Sequence, residues 1–229
     1  MTEFLILKLQ GPMQAWGEHS FEGARPSGNF PTRSALLGLL GACLGIRRNE
    51  FRRLQHLADS VLFAVRKDTR CVATFWGEVK SLPVIKMTDY HTVKDAREDY
   101  VGLKSHETIQ TWREYLLDAE YTVAVWSSEG AAITLSELES ALRQPVFTPY
   151  LGRRSCPLAQ PLFRKRLASE NPLTALQTIE PGGGVIYSDQ SIDGKTDRNM
   201  RLRDVPMMGQ PRQFASRIVY VHGGDHVSE

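Results

Sequence analysis

An α+β fold is what this 229-residue sequence predicts, and three observations carry that prediction. Strand-like alternation and helical spacing follow one another as strand, helix, strand, strand, helix and then several strands. A polar stretch at residues 89–110, without an apolar period, interrupts this order near its middle. The composition, 41% hydrophobic and 24% charged, provides enough apolar material for a core. Together these features match a ferredoxin-like (RRM-like) sheet in a single domain, residues 1–229, with an arm inserted at about residues 78–115.

The first half of the chain supplies strands and two helices to this order. Alternating apolar residues predict a strand over Thr2–Gln10. Thr32 is the predicted N-cap of a helix that runs to about Ile46. The further elements of this half are a helix at about residues 50–59, a buried strand at 61–65 and a strand at 71–79.

The second half is richer in short strands. Residues 121–126 form a predicted strand, and residues 136–142 form a helix capped by Thr134 or Ser136. After Pro145 the chain is strand and loop material that Pro and Gly interrupt. The later elements are a short helical turn capped by Asn171 or Thr174 and strands at 185–187 and 218–221.

Three glycines of the predicted first helix, Gly38, Gly41 and Gly45, recur at helical spacing on one side. Each glycine lowers helix stability by about 1 kcal/mol relative to Ala in a helix interior. We therefore expect another part of the protein, or a partner, to approach the helix backbone closely on this side. Tight packing onto a sheet is the favoured interpretation. Contact with a nucleic-acid backbone or another subunit is the alternative.

Nothing in the sequence predicts a membrane-bound or secreted protein. No apolar run approaches the roughly 18 residues of a membrane span, and the N-terminus alternates instead of forming the apolar block of a signal peptide. The three cysteines, Cys43, Cys71 and Cys156, lie far apart, which favours reduced thiols over a disulfide framework. We therefore expect a cytoplasmic protein that has no membrane partner.

The charge is nearly balanced overall, at +2, but the basic residues are unevenly distributed. Residues 143–169 contain six basic residues and no acidic residue before Glu170. Residues 198–217 contain five arginines and a single acid, Asp204. Local basic excess on a nearly neutral protein indicates a face that binds a polyanion, and a solvated charged surface is the alternative.

Two motifs that resemble metal or nucleotide sites do not meet the requirements of those sites. Gly194-Lys195-Thr196 resembles the end of a phosphate-binding loop, but Asp189 occupies the position where that loop needs a glycine. His222 and His226 have HxxxH spacing, but the intervening glycines do not favour a helix and no third ligand stands nearby. We predict neither a metal nor a cofactor.

Two segments combine arginine, aromatic and small residues, which is the combination that binds single-stranded RNA. In residues 148–157, Gly152 permits a tight turn, Arg153 and Arg154 offer forked donors to phosphate, and Tyr150 offers a stacking surface. In residues 108–113, hydroxyl groups accompany Trp112 and Arg113. Because backbone cations and planar groups together hold unpaired nucleotides, these segments predict an RNA interface. Ordinary surface loops with a buried Trp112 are the alternative.

A metal-independent ribonuclease is the second functional hypothesis. Such an enzyme needs a base for the 2′-hydroxyl, an acid for the leaving oxygen and a cation near the phosphate. The side chains that could supply these roles are His91, His106, Tyr90, Tyr150 and Lys104. Nothing in their spacing assembles them into one site, so we predict no catalytic residue.

Several segments together resemble the CasD-type subunits of type I-E CRISPR Cascade complexes, a family within the RAMP superfamily. The segments that carry this resemblance are residues 11–17, 30–34, 38–45, 89–116, 148–158 and 211–217. The resemblance implies a ferredoxin-like palm with an inserted β-hairpin thumb. It also implies a non-catalytic protein that caps the 5′ handle of crRNA, because another subunit, CasE, cuts the precursor in this system. Relatives in another CRISPR subtype do cleave repeat RNA.

The implied partners are the crRNA 5′ handle, a CasC-like backbone subunit, a CasA-like large subunit and other Cascade subunits, with target DNA contacted only indirectly. By the same resemblance, Arg33 and Ser34 contact phosphates of the handle together with the amides at the helix N-terminus. Thumb residues hold the RNA backbone or displace a base. The 150–155 segment contacts the RNA from the opposite side. The predicted RNA-binding residues are Arg25, Arg33, Ser34, Lys104, His106, Thr108, Gln110, Trp112, Arg113, Tyr150, Arg153, Arg154 and Ser155.

Overall fold

A computed structural model describes most of the chain. The described residues are 1–18, 20, 23–94, 108–180, 182–192, 198–209 and 213–223. The predicted sites at Lys104 and His106, and the Gly194-Lys195-Thr196 motif, lie outside these residues.

The described residues form four helices and fifteen strands. The helices are α1 (Arg33–Cys43), α2 (Phe51–Ser60), α3 (Leu135–Arg143) and α4 (Pro172–Gln177). The strands of the first half are β1 (Thr2–Gln10), β2 (Met13–Gln14), β3 (Trp16–Gly17), β4 (Ala24–Arg25), β5 (Ser27–Gly28), β6 (Val61–Lys67), β7 (Arg70–Ala73), β8 (Val79–Leu82) and β9 (Ile85–Lys94). Those of the second half are β10 (Thr108–Leu117), β11 (Glu120–Ser127), β12 (Phe163–Ser169), β13 (Val185–Ser188), β14 (Arg198–Met207) and β15 (Gln213–His222).

A seven-stranded sheet dominates the fold, in the order β12-β1-β11-β6-β13-β15-β14. Every neighbouring pair of strands in it is antiparallel. A second sheet joins β2, β10 and β4, with β9 paired to β10. The predicted mixture of helices with a large antiparallel sheet is therefore confirmed.

Both faces of β1, the second strand of the large sheet, are buried. Leu5, Leu7 and Leu9 face the larger core, to which α1 and α3 contribute leucines. Phe4 and Ile6 face a smaller core on the other side, which α4 covers. The sheet is thus a middle layer between helices, and its central strands are apolar on both faces.

Burial on both faces also encloses a charged cluster at one end of the sheet. Lys8 Nζ lies 2.6 Å from a carboxylate oxygen of Asp68 and 2.9 Å from one of Glu120. The buried Arg66 donates to the other Asp68 oxygen at 2.6 Å, and Thr122 donates its hydroxyl to Asp68 at 2.7 Å. Because buried charges are tolerated only when they are paired, each member of this cluster depends on the others.

The first helix begins where the sequence predicts and ends earlier. Thr32 Oγ1 accepts a hydrogen bond from the Ala35 amide at 3.3 Å, as an N-cap does. The predicted end near Ile46 is wrong, because Gly45 adopts a left-handed φ of 70°. The Ile46 amide then donates to the Gly41 carbonyl at 2.8 Å, which closes the helix in a Schellman motif.

The three glycines of this region consequently have three different environments. A side chain at Gly41 would contact Leu54 and Leu57 of α2 at 3.6 and 3.7 Å, so Gly41 permits helix packing. Gly38 is exposed and faces open space. Gly45 provides the helix end. The predicted common surface of all three glycines is therefore wrong.

Two strand predictions also need correction. Residues 71–79 are not one strand, because a turn at Thr74–Glu78 divides them into β7 and the start of β8. In that turn the Thr74 amide donates to the Glu78 carbonyl at 2.7 Å, and Gly77 has a φ of 81°. The long strand β14 was not predicted, since its run of arginines hides the alternation that normally reveals a strand.

A buried ion network attaches α1 to the C-terminal strands. The Arg33 guanidinium contacts Asp189, and the opposite Asp189 oxygen lies 2.6 Å from Arg217. Arg217 also binds both carboxylate oxygens of Asp204, at 2.7 and 2.9 Å. Asp204 in turn accepts the Arg33 amide at 2.7 Å and so neutralises the start of α1. Asp204 lies at a bulge between Arg203 and Val205, which directs its side chain towards the helix.

Replacing the central carboxylate of this network should destabilise the protein strongly. We expect Asp189→Asn to lower the free energy of unfolding by roughly 3–5 kcal/mol, because Arg33 and Arg217 would stay buried without that charge. Urea denaturation measures this change. The matched control is Glu3→Gln, whose carboxylate pairs with Arg166 and is 54% exposed, and we expect little change there because solvent screens the pair. Equal effects for the two variants would show that the network is not a stabilising element.

The three cysteines have contrasting environments. Cys43 and Cys156 are buried and Cys71 is exposed, all as free thiols. Burial raises the pKa of the Cys43 thiol to about 11 and also raises the pKa of Cys156. Because the unfolded chain deprotonates Cys43 more readily, its contribution to stability decreases as the pH rises from the ordinary thiol pKa of about 8.5 towards that value.

Alkylation should therefore distinguish the thiols. With iodoacetamide at about pH 8, we expect the native protein to be modified at Cys71, while Cys43 and Cys156 stay unmodified, because the thiolate is the reacting form and needs access. Peptide mass spectrometry reads the sites. Denaturation in urea is the control and should make all three reactive. Native labelling of Cys43 as fast as Cys71 would contradict this arrangement of the core.

Candidate nucleic-acid interface

The 150–157 loop is held against the N-terminal segment by backbone contacts. Tyr150 and Pro157 form a β-bridge that closes the loop, and the Leu151 carbonyl accepts the Ala15 amide at 3.1 Å. Gly152 has a φ of 88°, and a Cβ there would lie 1.7 Å from the Ala15 carbonyl oxygen. Only glycine fits that position, so the sequence at Gly152 determines how the loop meets the rest of the protein.

Arg153 joins this loop to two other segments. Its guanidinium donates to the Glu114 carbonyl at 3.0 Å and to the Arg25 carbonyl at 2.9 Å. It also lies 4.6 Å from the centre of the Tyr115 ring. These contacts bring β4, β10 and the 150–157 loop together, and Arg153 is mainly occupied in holding them.

Beyond Arg153, the loop presents its next residues to solvent. Arg154 and Ser155 are exposed, while Leu151 and Cys156 anchor the loop in the core. Tyr150 is half-buried at the bridge. The exposed part of the loop therefore carries one cation and one hydroxyl group, both of which are phosphate ligands.

The hairpin of β9 and β10 exposes a pair of aromatic rings. Tyr90 and Trp112 are register partners, 52% and 47% exposed, and their ring centroids lie 5.5 Å apart. Gln110 and its partner Thr92 lie on the same face, two residues along each strand. Exposed rings beside polar groups form the kind of surface on which unpaired bases stack. The alternative of a buried Trp112 is wrong.

Two arginines are neighbours where β4 pairs with β10. The pairing is parallel and aligns Arg25 with Arg113 and Ala24 with Trp112. The Trp112 amide donates to the Gly23 carbonyl at 3.0 Å, which holds β4 in this position. Arg113 also donates to Thr111 at 3.1 Å. The structure thus places two cations side by side. Because successive residues of a strand face opposite sides of a sheet, they lie on the face of the hairpin opposite to the Tyr90–Trp112 pair.

Arg33 and Ser34 are placed differently. Besides Asp189, the Arg33 guanidinium donates to the Ala58 and Val61 carbonyls at 2.8 and 3.0 Å. The side chain of Arg33 is only 12% exposed, and its backbone amide is bound to Asp204. The Ser34 hydroxyl lies 3.2 Å from that of Thr32. Their contact with RNA stays a prediction, and the internal hydrogen bonds give Arg33 a structural role.

Thr108, Lys104 and His106 are the remaining predicted RNA-binding residues. Thr108 is exposed at the start of β10. Lys104 and His106 lie outside the described residues, so their predicted contacts remain predictions.

From the sequence, Tyr90 is a candidate only for catalysis. The alternation in β10 indicates that Gln110 and Trp112 share a face, but the partner across the hairpin follows from register. Glu114 was not predicted at all. Its carboxylate accepts the Ser27 amide at 3.0 Å and its carbonyl binds Arg153.

The ribonuclease candidates do not converge in the part of the chain that the structure describes. His91 contacts the carboxylate of Asp89, and the neighbouring Tyr90 points to the opposite face of the hairpin. Over the same residues, no group of three His, Cys, Asp or Glu side chains is arranged to hold a metal ion. His222 is buried, and His226 lies outside the described residues. The helices found there include none that is long and apolar enough to span a membrane.

Known proteins resemble this chain over its whole length. The family model described as CRISPR-associated protein (Cas_Cas5) matches residues 4–220. The CRISPR system Cascade subunit CasD of Escherichia coli (strain K12) is 55% identical over 230 residues, which cover 100% of both chains.

Solved structures agree with this result. A chain of a CRISPR RNA-guided surveillance complex matches with a TM-score of 0.72 and 29% identity, over 95% of this chain and 88% of that chain. A crystal structure of a Cas protein shares the fold, with a TM-score of 0.58 and 22% identity over 96% of this chain and 93% of that one. Since the family model and the bacterial relative both extend over nearly all of the sequence, the chain belongs to the Cas5 family of CRISPR-associated proteins.

Proposed function

We propose that this chain is the subunit of a type I-E CRISPR Cascade complex that binds and caps the 5′ handle of crRNA. The observation that carries the proposal is the junction of β4, β10 and the 150–157 loop, where Arg25 and Arg113 lie on one face and the exposed Tyr90–Trp112 pair on the other face of the same strands. Cations there bind phosphates and the rings stack on bases, which is how proteins hold single-stranded RNA. The Cascade subunit that is 55% identical to this chain supports the assignment.

The proposal includes a ferredoxin-like palm with a thumb. Four strands of the large sheet support it, because β1, β6, β11 and β12 lie in the spatial order β12-β1-β11-β6. Helices α1 and α2 connect β1 to β6, and α3 connects β11 to β12, as in a split βαβ arrangement. The β9–β10 hairpin is inserted between β6 and β11. We propose it as the thumb, with the predicted bounds of about residues 78–115.

The partners follow from the same proposal. They are the crRNA handle, CasC-like and CasA-like subunits and other Cascade subunits, with target DNA contacted indirectly. We propose a role in binding and assembly without catalysis. His91 and Tyr90 face opposite sides of the hairpin, which supports this role over cleavage of repeat RNA. The cytoplasmic location stays a prediction.

Removing an arginine should weaken RNA binding in a salt-dependent way. For Arg113→Ala and Arg154→Ala, we expect the slope of log affinity against log salt to decrease by about 0.7 per lost phosphate contact. Filter binding of labelled repeat RNA to the assembled complex, over a salt series, measures the slope. Arg52→Ala in α2, an exposed arginine distant in sequence, is the matched control and should leave it unchanged. Wild-type slopes for both interface variants would contradict the proposed interface.

Removing the exposed ring should weaken binding without changing the salt slope. We expect Trp112→Ala to lower the affinity for repeat RNA roughly 5- to 150-fold, because one base–aromatic stack contributes about 1–3 kcal/mol. The same filter-binding series measures both quantities. Since the indole carries no charge, a changed slope would show that the substitution of Trp112 displaces the neighbouring arginines. Unchanged affinity would remove Trp112 from the interface.

The catalytic alternative has its own test. We expect labelled repeat RNA to stay intact when incubated in EDTA with the chain, alone or in the complex lacking its processing nuclease. Denaturing gels report cleavage. Cleavage that is lost in His91→Ala would identify a metal-independent ribonuclease and overturn the non-catalytic assignment.

A further inference from the structure

The β7–β8 hairpin ends in two aromatic side chains that are almost fully exposed. Phe75 is 94% exposed and Trp76 is 84% exposed, and their rings pack edge to face with centroids 5.3 Å apart. They occupy the turn between the strands, which the Gly77 φ of 81° makes tight. We call Phe75 and Trp76 the aromatic tip. Exposed large apolar groups of this kind mark binding surfaces, because water solvates them poorly.

The strands that carry the aromatic tip are also exposed. β7 and β8 form a two-stranded sheet of their own, apart from the other sheets. Val72 is 45% exposed, Val79 70% and Leu82 40%. A two-stranded ribbon without a covered face is marginally stable in water. Covering it would stabilise both the ribbon and the rings, so the hairpin has the properties of an element that is completed by a partner.

Charge indicates which class of partner fits. Residues 71–79 contain one acid, Glu78, and no lysine or arginine. The next cation along the chain, Lys80, lies 3.7 Å from Glu78, and both side chains are exposed. A strand of nucleic acid needs several cations for its phosphates, as Arg25 and Arg113 provide together on the β4 and β10 strands. The aromatic tip lacks them, so it suits an apolar pocket on a protein.

We propose that the β7–β8 hairpin is a protein-docking element that inserts Trp76 into an apolar pocket of a neighbouring protein subunit. This inference rests on the proposed role as a subunit of a larger complex. Tryptophan is among the residues that contribute most binding energy when an interface buries them. Phe75 packs edge to face against the indole, and Val72 and Leu82, which share one face of the ribbon, extend the apolar contact.

The test compares the isolated chain with the assembled complex. Hydroxyl-radical footprinting with mass spectrometry should show Trp76 readily oxidised in the isolated chain and protected in the complex. In a second measurement, the tagged chain binds a complex of the remaining subunits that is purified with its guide RNA but without this chain. We expect Trp76→Ser to weaken that binding about 30-fold or more, which corresponds to about 2 kcal/mol.

Two controls make the result specific to the aromatic tip. Phe51→Ser removes another exposed aromatic ring, 37% exposed at the start of α2, and should leave the binding unchanged. Binding of Trp76→Ser to labelled repeat RNA alone should equal that of the wild type. Because Trp76 faces solvent, the variant should also keep the wild-type melting temperature.

Each other outcome overturns the inference in a recognisable way. Unprotected Trp76 in the complex, or wild-type binding by Trp76→Ser, shows that the aromatic tip does not dock. Weaker binding of the variant to RNA alone identifies a nucleic-acid contact, and protection that depends on the concentration of the isolated chain identifies self-association. If the wild-type chain binds neither the remaining subunits nor repeat RNA, the proposed function itself fails. If the chain binds repeat RNA but the aromatic tip does not dock, the docking inference fails and the proposed function is still supported.

Discussion

A single buried carboxylate, that of Asp189, connects parts of the protein that are distant in sequence. It binds Arg33 at the start of α1, the Phe63 amide in β6 and Arg217 in β15. The contact with Arg33 holds α1 against the sheet. The contacts with Phe63 and Arg217 join Asp189 to the strands β6 and β15 of that sheet. Because a buried ion is tolerated only with its partners in place, these segments depend on one another. The same carboxylate therefore holds α1 and the strands beyond β6 in place.

Among the described residues, some arginines contact internal groups and others are exposed to solvent. Arg33, Arg66 and Arg217 bind internal carboxylates, and Arg153 binds internal carbonyls. The exposed Arg154 lies one residue from Arg153 and faces solvent. A locally basic sequence is thus partly a structural framework and partly a binding surface. The framework positions the surface, since Arg153 is what brings β4 and the 150–157 loop to β10.

Two exposed aromatic surfaces have opposite electrostatic settings. The Tyr90–Trp112 pair is suited to stacking on bases, and the adjacent Arg25 and Arg113, on the opposite face of the same strands, supply cations for a nucleic-acid backbone. The aromatic tip of Phe75 and Trp76 has no cation within residues 71–79 and is suited to an apolar pocket. A subunit that holds RNA at the end of a complex needs both kinds of contact. The β9–β10 hairpin would engage the RNA and the β7–β8 hairpin a protein neighbour, on separate elements that can be altered independently.

Local chemistry by itself determined much of the secondary structure. Alternation identified β1, helical spacing identified α1 and α3, and the hydroxyl groups of Thr32 and Thr134 marked where those helices begin. The same local signals located the two arginine-bearing segments and supported the family resemblance. Tertiary structure decided the rest, because pairing partners and burial depend on residues far along the chain. Only the fold separates the internal Arg33 from the exposed Arg154, and only the hairpin register makes Tyr90 the partner of Trp112. Sequence spacing does not carry that information, since side-chain exposure is set by what packs against each residue once the sheet and its helices have assembled.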